Sequence, residues 1–215
     1  MRLGIFDSGI GGEAIANAMR KTFPNFEILI VNDHKHVPYG SRTADEIFTL
    51  TDSAIQPLLN SNCDIIIIAC NTATALAIDD LRKKYPRQKF VGIEPMIKTA
   101  AKLTKSNIIA VCATPATLKS DRYHKLVQKY GSKLNIIEPD CSNWAQMIEN
   151  NQINYQNIDK IVRDVCSRGA DVIVLGCTHY QYIKEHIIKL IEGQAKVIEP
   201  SKNIGHRIEQ LLKLS

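Results

Sequence analysis

Two segments decide the fold: CDIIIIACNTA (63–73) and ADVIVLGCTHY (170–180). Each has an aspartate, four consecutive aliphatic residues and, two positions later, a cysteine followed by polar residues. They align at an offset of 107 residues, which places Cys70 on Cys177. A continuously apolar strand is typical of a parallel sheet covered on both faces. Recurrence of the strand together with its terminal cysteine predicts two similar halves.

Six further apolar runs alternate with amphipathic segments. They are LGIF (3–6), EILIV (27–31), FVGIE (90–94), NIIAVC (107–112), LNIIE (134–138) and KVIE (196–199). Strands separated by helices predict right-handed crossovers and parallel sheets. The chain is therefore predicted to be α/β, with two pseudo-symmetric, doubly wound domains and a ligand site in the cleft between them. The first domain is expected to span 1–96 plus 203–215, and the second 97–202.

The offset of 107 residues also aligns the first strand of each half. It places LGIFDSG (3–9) on AVCATPA (110–116), so that Asp7 falls on Thr114. Ligands of open α/β sheets bind beyond the carboxyl ends of the strands. Because Cys70 and Cys177 both follow such strands, the two thiols are expected on opposite walls of one cleft.

Composition excludes several classes of protein. The 215 residues carry a net charge of +5, and their basic residues are scattered, which does not indicate nucleic-acid binding. The sequence contains neither an apolar run long enough to span a membrane nor a signal peptide, so a cytoplasmic location is expected. The glycines of DSGIGG (7–12) depart from the GxGxxG nucleotide motif.

The cysteines and histidines do not predict a metal site. The six cysteines include no C-x-x-C pair and the six histidines are dispersed. Cys63, Cys112 and Cys166 lie in or beside apolar segments and are expected in the core. Nothing marks a lysine for a pyridoxal Schiff base. The sequence therefore predicts neither a metal nor a cofactor.

Two opposed thiols suit the inversion of a carbon centre. One group removes a proton from one face and the other returns a proton to the opposite face, so a thiolate and a thiol are needed together. Asp7, at the end of the first strand, and His179, two residues after Cys177, are candidates to hold or relay these protons. Backbone amides near Ser8 and Thr178 and several threonine hydroxyls are candidates to bind a carboxylate.

The residues that carry these groups resemble a known family. The segments GIFDSGIGG (4–12), VPYGSR (37–42), ACNTATALA (69–77), ATPATLKSDRY (113–123) and GCTHY (176–180) occur in the order found in glutamate racemases. The resemblance implies cofactor-independent interconversion of L- and D-glutamate for peptidoglycan synthesis. It also implies that Cys70 acts on D-glutamate with Asp7, and Cys177 on L-glutamate with His179.

The resemblance further implies the substrate contacts and auxiliary groups. Substrate contacts would be Ser8, Pro38, Tyr39, Gly40, Asn71, Thr72, Thr117 and Thr178. Asp33 stands before the PYG loop, and Glu149, counted from Cys141, matches an auxiliary glutamate. The expected partners are the glutamate substrate and a second copy of the chain in a homodimer.

This sequence departs from the family in one segment near the site. CSNWAQMIENN (141–151) replaces a more apolar, proline-containing stretch, which bears on the role of Glu149. Two alternatives stay open: a sister racemase that acts on aspartate or another small acid through the same thiols, and a non-catalytic glutamate-binding regulator. Retention of both cysteines, Asp7 and His179 argues against the regulator, because binding alone needs no pair of thiols.

Overall fold

Within residues 1–213, which the computed structural model describes (Lys202 by its backbone alone), eight strands form two four-stranded parallel sheets. The sheets belong to two units, Met1–Glu94 with the segment from Pro200 onward, and Pro95–Glu199. Leu214 and Ser215, the end of the predicted first domain, lie outside the described residues.

The first unit alternates strands and helices. Its elements up to Glu94 are β1 (Arg2–Asp7), α1 (Gly11–Thr22), β2 (Glu27–Asn32), α2 (Ala44–Ala54), α3 (Gln56–Asn60), β3 (Ile65–Ile68), α4 (Asn71–Lys84) and β4 (Phe90–Gly92). Two short 3-10 turns, His34–His36 and Tyr39–Ser41, lie between β2 and α2.

The second unit follows a related order. Its elements are α5 (Ile97–Leu103), β5 (Ile108–Cys112), α6 (Pro115–Leu118), α7 (Asp121–Tyr130), β6 (Asn135–Ile137), α8 (Trp144–Glu149), α9 (Tyr155–Ser167), β7 (Val172–Leu175), α10 (Lys184–Ile191) and β8 (Lys196–Ile198). A 3-10 segment, Thr178–Ile183, connects the end of β7 to α10. The last helix, α11 (Ser201–Leu212), belongs to the first unit.

The two sheets have equivalent strand orders, β2-β1-β3-β4 and β6-β5-β7-β8. Every pairing is parallel. These sheets and the helices between their strands confirm the predicted α/β class, and all eight predicted apolar runs contain or overlap a strand.

The sheet register corrects one detail of the repeat. Ile65 and Val172 differ by 107 positions, but their partners on the neighbouring strands, Leu3 and Ile109, differ by 106. The structural counterpart of Ser8 is therefore Thr114, and Asp7 corresponds to Ala113. An alignment by residue type therefore places the first strand of the second half one position away from its structural register. Backbone pairing, not residue identity, sets that register.

Strand β3 shows why the sheet needs helices on both faces. Its isoleucines alternate between two cores: Ile66 and Ile68 pack in one, and Ile65 and Ile67 pack in the other. Helix α11 contributes Ile204 to the second of these cores. Each fully buried isoleucine stabilises the fold by about 1.5–3 kcal/mol relative to exposure. The aliphatic run therefore fixes the central strand, and Cys70 lies just beyond its end.

The amphipathic stretch 44–60 forms two helices instead of one. Helix α2 begins with a capping box, in which Thr43 and Glu46 exchange side-chain and backbone hydrogen bonds. It ends before Ile55, and Pro57 lies in the first turn of α3. Proline is tolerated in a first turn but breaks a helix interior.

No helix among residues 1–213 has the length and apolar character needed to cross a membrane.

Candidate active site

Cys70 occupies the N-cap position of α4, directly beyond β3. Its Sγ accepts hydrogen bonds from the backbone N of Ala73 at 3.5 Å and from Ser8 Oγ at 3.3 Å. The thiol is buried. Donors of this kind at the positive end of a helix stabilise a thiolate. The sulfur of Cys70 therefore has donors that would stabilise a thiolate when one forms, and Ser8, predicted as a substrate contact, bonds directly to it.

Asp7 ends β1, the strand hydrogen-bonded beside β3. It is fully buried, and its Oδ1 accepts a hydrogen bond from the backbone N of Gly9 at 2.9 Å. Gly12 packs so closely that an added Cβ would lie 2.8 Å from Asp7 Cβ and 2.7 Å from Asn32 Oδ1. The glycine-rich turn therefore brings backbone against this carboxylate and fixes its position.

The loop after β2 is organised around the Asp33 carboxylate. Oδ2 accepts a hydrogen bond from the Tyr39 hydroxyl at 2.7 Å, and Oδ1 lies 2.7 Å from Nδ1 of His36. The Arg42 guanidinium donates twice to the carbonyl of His36. Burial and the hydrogen bond to Asp33 raise the pKa of Tyr39 well above its usual range, so this hydroxyl stays protonated and donating. Pro38 and Gly40 flank Tyr39 in the same loop.

The residues after Cys70 form the first turn of α4. Asn71 and Thr72 are both buried. Asn71 Nδ2 donates to the carbonyl of Ile93 at 3.3 Å, whereas its Oδ1 has no hydrogen-bond partner within the described residues. A buried acceptor left unsatisfied costs about 1–3 kcal/mol. This oxygen is therefore suited to accept a hydrogen bond from a ligand.

In the second unit, Cys177 begins a relay of three side chains. Its Sγ lies 3.8 Å from His179 Nδ1, and His179 Nε2 lies 2.6 Å from Glu149 Oε2. The side chains of His179 and Glu149 are 4% and 13% exposed, so little solvent screens the pair. Glu149, which the sequence offered only by counting from Cys141, thus lies against His179.

The partners assign the protons of His179. A carboxylate only accepts hydrogen bonds, so Nε2 carries the hydrogen that bonds to Glu149. In the neutral ring this leaves Nδ1 with a lone pair directed to the Cys177 thiol. A nucleophile or base activated by an imidazole, itself oriented by a carboxylate, is a recurrent catalytic arrangement. The relay can therefore take the thiol proton and generate a thiolate at Cys177.

The two cysteines have different backbone settings. Cys70 caps a 14-residue helix. Cys177 makes no capping hydrogen bond and precedes a 3-10 segment. The helix N-terminus, one backbone donor and the Ser8 hydroxyl therefore surround Cys70, whereas a histidine and a carboxylate serve Cys177.

Threonines lie at the ends of the strands of the second unit. Thr114 caps α6, and its Oγ1 lies 3.0 Å from Thr117 Oγ1. Thr117 and Thr178 are both buried. Position 114 is the structural counterpart of Ser8, which indicates that both halves place a hydroxyl beyond their first strand.

The predicted residues fall into one group per unit. Asp7, Ser8, Asp33, Pro38, Tyr39, Gly40, Cys70, Asn71 and Thr72 belong to the first unit, and Thr117, Glu149, Cys177, Thr178 and His179 to the second. The sequence had not indicated His36, although its spacing of three from Asp33 was visible. Nor had it indicated Trp144 and Tyr180, which pack beside the relay at a ring-centroid distance of 5.2 Å.

All six cysteines are free. Cys63 and Cys112 are buried as expected, whereas Cys166, also expected in the core, is only half-buried. A hydrogen bond with Cys112, together with burial, raises the pKa of Cys141 far above its usual range. Within residues 1–213, no group of three or more His, Cys, Asp or Glu side chains is placed to hold a metal ion.

Comparison with known proteins gives a consistent set of relatives. The model of the Asp/Glu/Hydantoin racemase family matches residues 13–202. Glutamate racemase of Clostridium botulinum is 35% identical over 216 residues, covering 97% of this chain and 84% of that protein.

Solved structures give the same result. Francisella tularensis glutamate racemase, determined with D-glutamate, is 29% identical with a TM-score of 0.81, covering 99% of this chain and 80% of that one. Escherichia coli glutamate racemase, determined with L-glutamate and the activator UDP-MurNAc-Ala, has a TM-score of 0.89 at 24% identity, covering 100% and 83%. At that identity, the second likeness concerns the fold alone.

Proposed function

Because the chain belongs to the Asp/Glu/Hydantoin racemase family, with glutamate racemases as its relatives, we propose that it interconverts L- and D-glutamate. The reaction is an isomerisation at the α-carbon, carried out by two thiols without a cofactor. The observation that carries this proposal is the relay from Cys177 through His179 to Glu149. Cys177 follows β7, the counterpart in the second unit of β3, which precedes Cys70.

In the direction from L- to D-glutamate, Cys177 is the base. His179 Nδ1 takes the Cys177 thiol proton, and the resulting imidazolium is stabilised by Glu149. The thiolate then removes the α-proton of L-glutamate. The mechanism requires each sulfur to come within roughly 3–3.5 Å of the α-carbon, on opposite faces.

Cys70 completes the inversion by donating its thiol proton to the other face. The hydrogen bonds from Ser8 Oγ and Ala73 N then stabilise the thiolate left on Cys70. From D-glutamate the roles reverse, so that Cys70 abstracts and Cys177 donates. Asp7, buried beside the end of β3, is proposed to support proton transfer at Cys70.

Binding of the substrate is assigned to the polar groups around each thiol. Asn71 Oδ1, which has no partner in the part of the chain that the structure describes, is suited to accept a hydrogen bond from the substrate ammonium. Thr72, Thr117 and Thr178, with the backbone N of Ser8, are proposed to contact substrate oxygens, together with the loop at Pro38, Tyr39 and Gly40. Asp33 holds this loop through the Tyr39 hydroxyl.

The test is incubation with L-glutamate in D2O, without added cofactor. Loss of the α-proton NMR signal together with loss of optical activity is expected. Exchange with L-aspartate but not with glutamate would instead identify the sister racemase. Absence of α-proton exchange with both amino acids would contradict catalysis and favour the glutamate-binding regulator.

Single substitutions test the two-thiol assignment. Cys70→Ser and Cys177→Ser should each abolish racemisation and leave the fold intact, as measured by circular dichroism. Cys166→Ser is the matched control, because this half-buried thiol lies in α9 and has no role in the mechanism. Near-normal turnover of either catalytic-site variant would contradict the proposal.

The wider role follows from the reaction. The D-glutamate formed is proposed to supply peptidoglycan synthesis. The enzyme is proposed to act in the cytoplasm as a homodimer. Restored growth of a bacterium that requires D-glutamate tests the first point. Sedimentation of the purified protein tests the dimer, and a monomer mass at working concentration would contradict it.

A further inference from the structure

Helix α8 carries Glu149 but has little stability of its own. It comprises six residues, and its N-cap residue, Asn143, makes no side-chain capping hydrogen bond. Isolated helices of this length do not persist in water. Glu149 is also its last residue, where the helix dipole disfavours negative charge. Contacts with other elements must therefore hold the carboxylate in place.

Trp144 and Tyr180 provide those contacts at the opposite end of α8. Both are fully buried, and their rings meet edge to face, with centroids 5.2 Å apart and an interplanar angle of 67°. The Tyr180 hydroxyl donates to the backbone carbonyl of Cys141, just before α8, at 2.9 Å. Trp144 Nε1 donates to Asn157 Oδ1 on α9 at 3.2 Å.

The helix is thus attached at two points to one short segment of chain. Trp144 packs on Tyr180, and Glu149 bonds to His179, the residue immediately before Tyr180. Two attachments fix both the position and the rotation of α8 relative to the imidazole. These contacts are therefore the means by which the structure holds Glu149 against His179.

We propose that Tyr180 and Trp144 are positioning residues that set the hydrogen bond between Glu149 and His179 and thereby govern proton transfer at Cys177. The kinetic consequences of this inference rest on the proposed function. The positioning of Glu149 against His179 does not depend on it. A displacement of about 1 Å in a catalytic group can cost on the order of a hundredfold in rate. Loss of one of the hydrogen bonds that Tyr180 and Trp144 make around α8 should cost less.

Removal of the Tyr180 hydroxyl gives the most specific test. Burial raises the pKa of Tyr180 well above its usual range, so the group remains a donor throughout the working pH range. Tyr180→Phe keeps the ring contact with Trp144 and removes only the bond to Cys141. Trp144→Phe keeps an aromatic ring and removes the bond to Asn157, which gives a second, independent variant.

Tyr123→Phe is the matched control. Tyr123 is a buried tyrosine of the same unit whose hydroxyl donates to Glu138 at 2.6 Å, and it belongs to none of the groups assigned to the reaction. Its substitution also removes one buried hydroxyl and one hydrogen bond. A purely structural effect of losing a tyrosine hydroxyl would therefore appear in both variants.

The experiment measures kinetic isotope effects with α-deuterated L- and D-glutamate. In Tyr180→Phe, kcat should fall about tenfold, the isotope effect from L-glutamate should rise and that from D-glutamate should fall, because transfer at Cys177 becomes more rate-limiting. Trp144→Phe should likewise raise the isotope effect from L-glutamate and lower that from D-glutamate. Tyr123→Phe should leave both isotope effects unchanged.

A second readout does not depend on activity. The ¹⁵N signal of His179 Nε2 reports its hydrogen bond to a carboxylate, and in Tyr180→Phe it should move toward that of a free imidazole. An unchanged signal and unchanged isotope effects, with only a lower melting temperature, would overturn the inference. Absence of glutamate turnover in the unmodified protein would instead contradict the proposed function, while the ¹⁵N comparison would still decide the role of Tyr180.

Discussion

Glu149 Oε2 lies 2.6 Å from His179 Nε2, although the two residues are 30 positions apart in the chain. The contact joins the end of a short helix to the segment directly after β7, where Cys177 is located. A carboxylate in this position fixes the tautomer of the imidazole and stabilises its protonated form. It therefore makes His179 a better acceptor for the thiol proton of Cys177.

Substitution of Glu149 by glutamine tests this relay. Glu149→Gln keeps the shape of the side chain but removes the charge that stabilises the imidazolium. We expect kcat to fall roughly ten- to a hundredfold, with a smaller change in KM, as measured by circular dichroism of L-glutamate turnover. Glu138→Gln, at a carboxylate bonded to Tyr123 instead, is the control. Equal activity of both variants would remove Glu149 from the mechanism.

The fold was predictable from the sequence because its strands are continuously apolar. Runs such as the four isoleucines of β3 can be buried only in a sheet covered on both faces, and the alternation of strands with helices predicts parallel pairing. The repeat predicted that Cys70 and Cys177 follow equivalent strands, β3 and β7, as the structure shows. These properties depend on local composition and periodicity.

The detailed contacts were not predictable, because they depend on packing between distant segments. Nothing in the sequence pairs the Tyr180 hydroxyl with the carbonyl of Cys141, 39 residues away. The resemblance suggested Glu149 by counting, yet its contact with His179 required the orientation of α8. The catalytic roles of Glu149, Cys70 and Cys177 remain predictions.

Gly12 offers a test of the close packing around Asp7. In Gly12→Ala the new Cβ would meet Asp7 Cβ at 2.8 Å and Asn32 Oδ1 at 2.7 Å, both too close for a carbon atom. We expect a loss of stability of about 1–3 kcal/mol by urea unfolding, and reduced turnover because Asp7 must move.

Gly205→Ala is the matched control for that variant. Gly205 lies within α11, and the nearest atom to its added Cβ is Thr22 Cγ2 at 3.4 Å. Alanine is the better helix former, so this substitution should stabilise the protein by about 0.5–1 kcal/mol. A Gly12→Ala variant as stable and active as Gly205→Ala would show that the turn has room for a side chain.

His36 should affect substrate binding more than chemistry. Its imidazole lies 2.7 Å from Asp33 Oδ1, and Asp33 in turn accepts the hydrogen bond from Tyr39. In His36→Ala, we expect KM for glutamate to rise several-fold while kcat changes little, since the thiols are untouched. His206→Ala, at an exposed histidine of α11, should leave both constants unchanged. A selective fall in kcat would place His36 in the proton-transfer machinery instead.

Asp171 is expected to stabilise the second unit, and to do so in a pH-dependent way. Its carboxylate accepts hydrogen bonds from Thr104 Oγ1 at 2.5 Å and from the backbone N of Lys105 and Ser106 at 2.6 and 2.9 Å. Partial burial acts to raise the pKa of Asp171, but these hydrogen bonds outweigh it and lower the pKa from 3.8 to about 2. The folded state therefore favours the ionised form.

The sign of the pH effect follows from that depressed pKa. The contribution of Asp171 is fully present above about pH 4 and is lost as the pH falls through about 2. Asp171→Asn should lower the free energy of unfolding by roughly 1–2 kcal/mol at pH 7, allowing for partial exposure, and the difference should shrink between pH 4 and pH 2. Asp64→Asn changes the counterpart in the repeat, which accepts a hydrogen bond from the backbone N of Arg2, and should cost less. The measurement is urea unfolding of the unsubstituted protein, Asp171→Asn and Asp64→Asn between pH 2 and pH 7. If the difference in unfolding free energy between Asp171→Asn and the unsubstituted protein did not change with pH, the charge of Asp171 would contribute nothing.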